Sequence, residues 1–324
     1  MSIQCSFRQE DVKIFTGNAG RPLAMEIAQL LGVKLADSEI IKFSDGEISV
    51  NIGETVRGCD VFIVQPTCYP ANDNLMELLI MADAFKRASA GRINAVIPYY
   101  GYARQDRKVK SRDPITAKLV GDLITTAGIG RVITMDLHAA QIQGYFNIPV
   151  DHLLGGPILA DYFIGKGLDR DDEVVIVSPD LGSVNRTRKF AQRINVPIAI
   201  IDKRRPKPNV SEIMNIIGNV EGKKCIMVDD IIDTGGTISN AANALKKLGA
   251  KEVYAAATHA VLSGSAIERL SNSGIDEVVL LDTIKAPDRV LPEKFTVLST
   301  AHTFANAISR IHDNQPLSSM FSSY

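Results

Sequence analysis

Residues Lys224–Thr237 read KCIMVDDIIDTGGT, and the order of side chains in that stretch decides the fold. Cys225–Val228 is a short, unbroken apolar run, the pattern of a strand buried on both faces. Asp229, Asp230 and Asp233 follow at the C-terminal end of that predicted strand. In open α/β sheets that edge is where ligands bind. Thr234, Gly235, Gly236 and Thr237 then open a predicted helix over Ile238–Leu248. The glycines let backbone N–H groups close on an anion, and the threonine hydroxyls and the helix N-terminus add donors. Carboxylates able to accept hydrogen bonds from sugar hydroxyls therefore stand beside a phosphate cradle, a pairing that suits a sugar phosphate. The alternative is an acidic strand end followed by a plain glycine turn. It leaves the coincidence of cradle and carboxylates unexplained.

Outward from this stretch the chain alternates strands and helices. Toward the N-terminus the predicted strands are Val12–Thr16, Ile48–Ile52, Val61–Val64, Ala95–Ile97 and Val132–Met135, with helices over Pro22–Leu31, Leu75–Ala90 and Ile115–Ala127. Asp151–Pro157, DHLLGGP, marks a boundary. Alternation then restarts with strands Val174–Val177, Ile198–Ile201, Cys225–Val228, Val253–Ala257 and Val278–Leu281, and ends in a helix over Thr303–His312. Such alternation predicts an α/β chain of two parallel-sheet units. A length of 324 residues also fits two domains of ordinary size. Residues 1–152 and 153–324 are the expected domains, with the terminal helix free to pack back on the first. A short repeat supports duplication: Ala84–Ala95 lines up without gaps on Ala244–Ala255. The first-half counterpart of the cradle, Tyr69-Pro70-Ala71-Asn72-Asp73-Asn74, has no glycine pair.

Composition excludes several classes. The net charge is -1, so no global field favours nucleic acid. No run approaches the roughly 18 apolar residues of a membrane span, and the opening MSIQCSFRQEDVK lacks a signal-peptide core. Cys5, Cys59, Cys68 and Cys225 have no metal-type spacing. Free thiols in a reducing cytoplasm are the expectation. Neither G-x-x-x-x-G-K-[ST] nor G-x-G-x-x-G occurs, which argues against a P-loop ATPase and a dinucleotide enzyme.

Four further segments carry charge for chemistry. The loop Pro98–Pro114 holds Arg104, Arg107, Lys108, Lys110 and Arg112 near three tyrosines. Aromatics and cations suit nucleic acid, but one such loop on a neutral chain fits a nucleoside triphosphate better, held by arginine forks and Gln105. Asp136-Leu137-His138 and Ser178-Pro179-Asp180 each end a predicted strand. Carboxylates there could flank magnesium; a lone histidine, by residue type, is more often structural. Lys203-Arg204-Arg205-Pro206-Lys207-Pro208 follows a strand, too charged for a core. A solvated basic loop is one reading, and a lid closing on polyphosphate is the other.

Taken together, these motifs resemble the ribose-phosphate pyrophosphokinase family, built on the type I phosphoribosyltransferase fold. The resemblance runs from about Val12 to Phe321. It implies two tandem phosphoribosyltransferase-like domains, each with a mostly parallel central sheet flanked by helices. It implies transfer of the β,γ-pyrophosphoryl group of ATP to the 1-hydroxyl of ribose 5-phosphate, giving AMP and phosphoribosyl pyrophosphate. By the same resemblance Asp229, Asp233, Thr234, Gly235, Gly236 and Thr237 bind ribose 5-phosphate. Phe43, Asp45, Glu47, Arg104 and Gln105 bind ATP, with Phe43 stacking on adenine. His138 and Asp180 match the Mg2+ positions, and Lys203 and Arg205 the catalytic pair, with Arg205 also on the sugar phosphate. Where the family has a glycine pair after Asp180, this chain has Gly182-Ser183. Family members commonly form hexamers regulated by phosphate and ADP, and Pro316 stands where they often carry a hydroxyl residue. Two alternatives share parts of this pattern: a phosphoribosyltransferase, which has the Asp229–Thr237 loop alone, and a non-catalytic regulatory homologue.

Overall fold

A computed structural model describes residues 11–204, 213–285 and 290–321. The chain divides into two compact units. The first comprises Met1–Leu154 with Thr283–Lys285 and Ser299–Ser322, and the second takes Gly155–Asp282 with Ala286–Leu298 and the last residues.

In the first unit the order is β1 (Val12–Thr16), α1 (Arg21–Leu31), β2 (Ser38–Lys42), β3 (Ile48–Ile52), β4 (Asp60–Val64), α2 (Ala71–Arg87), β5 (Arg92–Ile97), α3 (Thr116–Ala127), β6 (Arg131–Met135) and β7 (Val150–Leu153). Strands β1, β4, β5, β6 and β7 lie side by side in that order, all parallel, and β2 and β3 form a separate antiparallel hairpin. β4 is buried at every position, as the unbroken run Asp60–Val64 requires of a strand covered on both faces. α1 buries Leu23, Ala24, Ile27, Ala28 and Leu31, one face at helical spacing, and stops at Gly32 in the left-handed region.

The second unit runs α4 (Gly156–Gly165), β8 (Val174–Ser178), α5 (Val184–Ile194), β9 (Ile198–Arg204), β10 (Ile213–Ile217), β11 (Lys224–Ile232), α6 (Gly236–Lys247), β12 (Glu252–Ala260), α7 (Ala266–Ser271), β13 (Glu277–Leu281) and β14 (Phe295–Leu298). Its sheet has the order β10-β9-β8-β11-β12-β13-β14, parallel except for β10. The chain therefore winds outward from β8 through β9 and β10, then returns to β11 on the other side of β8. The crevice between the carboxyl ends of β8 and β11 is a topological switch point, the usual ligand position in an open sheet. Among the described residues, the first unit's sheet has no such reversal.

After β14 the chain rejoins the first unit as α8 (Ala301–His312) and α9 (Ser318–Phe321). α8 packs on α1, where Ser299 Oγ donates to Glu26 Oε2 at 2.6 Å. His312 Nδ1 lies 2.8 Å from the buried Asp60 carboxylate, which Arg92 and Asn94 also contact.

Several boundaries differ from the sequence expectation, each for a local reason. β11 runs through Ile232, so Asp229 and Asp230 lie within the strand rather than after it. Its partner β12 continues alongside as far as Ile232↔Ala260, whereas β8 pairs no further than Met227. The apolar run ends four residues before the ladder does. β9 likewise continues through Lys203 and Arg204, because β10 pairs with it there, Met214↔Lys203 and Ile213↔Arg204. Arg205, Pro206, Lys207 and Pro208 lie outside the described residues. α2 starts at Ala71 rather than Leu75, since its first turn is polar and Asn74 Nδ2 donates back to Cys68 O at 2.8 Å.

Candidate active site

The switch-point crevice of the second unit gathers the acidic stretch. Beyond β8, residues of β11 alternate between buried and half-buried, so Asp230 is 6% exposed and Asp229 22%. Arg186, on α5, donates to both, at 2.9 Å to Asp229 Oδ1 and 3.0 Å to Asp230 Oδ1. Asp230 N–H also donates to Asp229 Oδ1 at 2.9 Å. Burial first, and the adjoining Asp230 second, push the Asp229 carboxyl up to about 7, while the Arg186 charge pulls the other way.

At the mouth of β8, Asp180 Oδ1 accepts the Ser183 N–H at 2.8 Å. Ser183 is the N-cap of α5 at φ −87°, a conformation open to any residue. The serine in place of the family's second glycine is therefore accommodated.

Past β11, Asp233 and Thr234 lead to Gly235, the N-cap of α6, at φ +71°. A Cβ at Gly235 would sit 3.2 Å from Leu270 Cγ and in the left-handed region, so glycine is required there. Gly235 brings no side chain to cap the helix, so the first-turn N–H groups of Gly236, Thr237 and Ile238 remain for water or an anion. Thr234 and Thr237 are exposed beside them. Arg269, on α7, donates from Nη1 to Thr234 O at 2.6 Å, placing a cation at this turn.

The first unit buries an anion of its own within α2, past the helix start. Glu77 is 6% exposed, and its carboxylate accepts from Asn18 N at 2.9 Å, Asn18 Nδ2 at 2.6 Å and Gln65 Nε2 at 2.8 Å.

The residues expected to hold a nucleotide lie elsewhere in the first unit. Phe43 is 49% exposed at the β2–β3 turn and not in the core, where an aromatic ordinarily packs. The turn closes through Phe43 N–H to Glu47 O at 2.8 Å and Glu47 N–H to Asp45 Oδ1 at 3.1 Å. Arg104 and Gln105 are exposed in the loop between β5 and α3, and Gln105 Oε1 accepts from Thr116 Oγ1 at 2.6 Å. Of the nearby tyrosines, Tyr100 is 2% exposed, packs at a tilt against Phe146 with ring centres 5.5 Å apart and donates to Ala117 O. It holds the loop from inside and offers no face to a base. His138 is exposed just past β6.

Three polar residues at these sites carry no motif. Arg186 and Arg269 reach the acidic strand and the cradle from neighbouring helices. Asp106, 7% exposed in the basic loop, accepts from Gln141 Nε2 at 3.3 Å, and its backbone carbonyl accepts from Tyr145 Oη. That ties the loop to the 3-10 turn Ala140–Tyr145 after His138. Arg186 follows Asp180 at a spacing that one sequence does not distinguish from a solvated helix face.

Comparison with known proteins agrees with the motif resemblance. Residues 12–128 match the N-terminal domain of ribose phosphate pyrophosphokinase, and residues 204–322 match the phosphoribosyl synthetase-associated domain. The chain is 70% identical over 312 residues to the ribose-phosphate pyrophosphokinase of Clostridium perfringens (strain 13 / Type A), covering 96% of this chain and 98% of that one. It is 58% identical over 316 residues to the ribose-phosphate pyrophosphokinase of Bacillus subtilis (strain 168), covering 98% and 99%. The crystal structure of phosphoribosylpyrophosphate synthetase from Mycobacterium smegmatis matches with a TM-score of 0.88 at 45% identity, covering 94% of this chain and 99% of that one. The chain belongs to the ribose-phosphate pyrophosphokinase family.

Proposed function

We propose that this enzyme transfers the β,γ-pyrophosphoryl group of ATP to the 1-hydroxyl of ribose 5-phosphate. A bond forms between the sugar O1 and the β-phosphorus, and the bond from that phosphorus to the α,β-bridging oxygen breaks. The hydroxyl proton is lost, and the products are phosphoribosyl pyrophosphate and AMP. The observation that carries the reading is the crevice at the ends of β8 and β11. There a helix start without a side-chain cap adjoins three aspartates, in a chain 70% identical to a named pyrophosphokinase.

In this reading Thr234–Thr237 hold the 5-phosphate through N–H and hydroxyl donors, and Asp229 and Asp233 accept from the ribose hydroxyls. Phe43, Asp45, Glu47, Arg104 and Gln105 take ATP. Lys203 and Arg205 stabilise charge as AMP departs. Positioning and electrostatics supply most of the catalysis, as in other phosphoryl transfers. Magnesium, when bound, would neutralise phosphate charge, with Asp180 and His138 each a proposed ligand from its own unit. The donor at Asp180 fits. One carboxylate oxygen is held by Ser183 N–H, and no group of three His, Cys, Asp or Glu forms a cage among the described residues. Magnesium commonly takes one or two carboxylates and completes its shell with water and substrate phosphates.

A homohexamer regulated by phosphate and ADP is the proposed assembly. Ile115, Leu119 and Leu123 support it: they form an exposed apolar row along α3, which a second copy could cover. Light scattering that finds an active monomer would remove it. Pro316 leaves Arg310 Nη1 donating to its carbonyl at 3.0 Å in the tail where phosphate and ADP are proposed to act. A cytoplasmic setting is proposed because Cys68 and Cys225 are buried free thiols. Among the described residues no helix is long and apolar enough to cross a membrane. The deciding assay is AMP release from ATP. Release that depends on ribose 5-phosphate supports the reading, and release without the sugar, or none at all, rejects it.

A further inference from the structure

His138 sits on a turn that the backbone alone does not hold. β6 ends at Met135, opposite Leu153 of β7. Asp136 N–H still continues the ladder, donating to Leu153 O at 3.0 Å. Asp136 itself has φ +37°, in the left-handed region that non-glycine residues seldom adopt. That rotation carries the next N–H, on the buried Leu137, away from the ladder. It donates instead to Nε2 of His152, a β7 residue, at 2.8 Å. A side chain thus takes over from the strand at the point where the chain turns toward His138.

The direction of this bond fixes the chemistry required of His152. A backbone N–H only donates, so Nε2 carries no proton, and the neutral ring holds its proton on Nδ1. Without an acceptor, a buried N–H would be left unsatisfied beside a strained residue. The turn would then lose a bond that holds its direction.

We propose that His152 is a positioning residue of the reaction: by accepting the Leu137 N–H it fixes the turn at Asp136 and so aims His138. This rests on the reading of His138 as a group on the ATP and magnesium side.

The test compares His152→Gln with His152→Leu. Glutamine Oε1 stands as many bonds from Cβ as Nε2 does and can accept the N–H, whereas leucine fills similar space and cannot. The readouts are the KM values for magnesium ATP and for ribose 5-phosphate, and calorimetric binding of magnesium ATP without the sugar. His152→Leu is expected to weaken ATP in both measurements by roughly tenfold or more, as for an orphaned buried donor. Its KM for ribose 5-phosphate stays within about twofold, and His152→Gln restores ATP to within about threefold. ATP values unchanged in His152→Leu, or equally poor in both variants, overturn the proposal. If His152→Leu does not fold, His152→Gln decides: near-normal ATP values support the acceptor role, and a tenfold loss rejects it. Wild-type protein that releases no AMP in the same assay would instead sink the parent reading.

Discussion

Arg186 Nη1 lies 2.9 Å from Asp229 Oδ1, and the same nitrogen serves Asp230 at 3.0 Å. One cation therefore balances two carboxylates that burial forces together. The Asp229 carboxyl is raised to about 7 in spite of it. Ribose hydroxyls donate to an ionised carboxylate, so affinity for ribose 5-phosphate is expected to fall on acidification through neutrality. Arg186→Met removes the group that lowers the Asp229 pKa, so the acid limb should move to higher pH. A pH series of ribose 5-phosphate KM checks this, and an unmoved midpoint would refute the pairing as the cause.

The same pair has a stability signature of opposite sense. A carboxyl raised above its unfolded value of about 3.9 binds its proton more tightly in the folded state. Its contribution is therefore greatest below pH 4 and is lost as pH rises toward the raised value, so the ionised pair costs stability above neutrality. In melting curves, Asp229→Asn should flatten the decline between about pH 4 and 7. A steeper decline would mean that the shift has the wrong sign.

Neighbouring glycines separate the demands of fold and ligand. Gly235 needs its left-handed φ, so Gly235→Ala should lower stability by roughly 1–2 kcal/mol. At Gly236 a Cβ would meet Arg269 Nη1 at an ordinary 3.6 Å, and the helix gains from alanine. Gly236→Ala is expected to melt at or above the wild-type temperature while its ribose 5-phosphate KM rises about tenfold, because the added methyl enters the space around the uncapped helix start. An unchanged KM would show that the phosphate sits elsewhere.

Much of this was legible because it is local. The run Cys225–Val228, its carboxylates and the glycine pair mark a central strand, its carboxyl edge and the next helix start without any tertiary knowledge. Strand ends were less legible, since β11 and β9 are prolonged by partners distant in sequence, β12 and β10. Arg186, Arg269 and Asp106 were not legible at all. Each acts across an element boundary, and nothing beside it in the chain marks it as different from a solvated charge. Glu77 was hidden for the opposite reason. A glutamate in a helix reads as surface, and only its burial and the three donors that converge on it show it to be an internal anion.

That anion makes its own prediction. Glu77→Ala would remove the nearest acceptor of the buried Gln65 Nε2, which keeps the longer contact to Asn74 O at 3.2 Å, while the exposed Asn18 turns to water, at a cost of about 1–2 kcal/mol. Because the effect belongs to the first unit, ribose 5-phosphate KM should stay within about twofold. Measured by denaturant unfolding, a loss below about 0.5 kcal/mol would mean that water replaces the carboxylate at no cost.

The last prediction concerns the basic stretch. Lys203 belongs to β9 with its backbone paired to Met214, while Arg205 lies outside the described residues. Strand pairing uses backbone groups, so Lys203→Ala leaves the ladder intact and should change the melting temperature little. If Lys203 and Arg205 stabilise charge that develops only as AMP leaves, removing either should lower kcat rather than substrate affinity. One preorganised donor of this kind is worth about 3 kcal/mol, on the order of a hundredfold in rate. We expect at least that from Lys203→Ala and from Arg205→Ala, and a milder loss from Arg204→Ala, which the catalytic motif does not include. Initial rates across both substrates give the split. Near-normal kcat in Lys203→Ala with collapsed ATP affinity would make this stretch a binding clamp, and charge stabilisation at the leaving group would have to come from elsewhere.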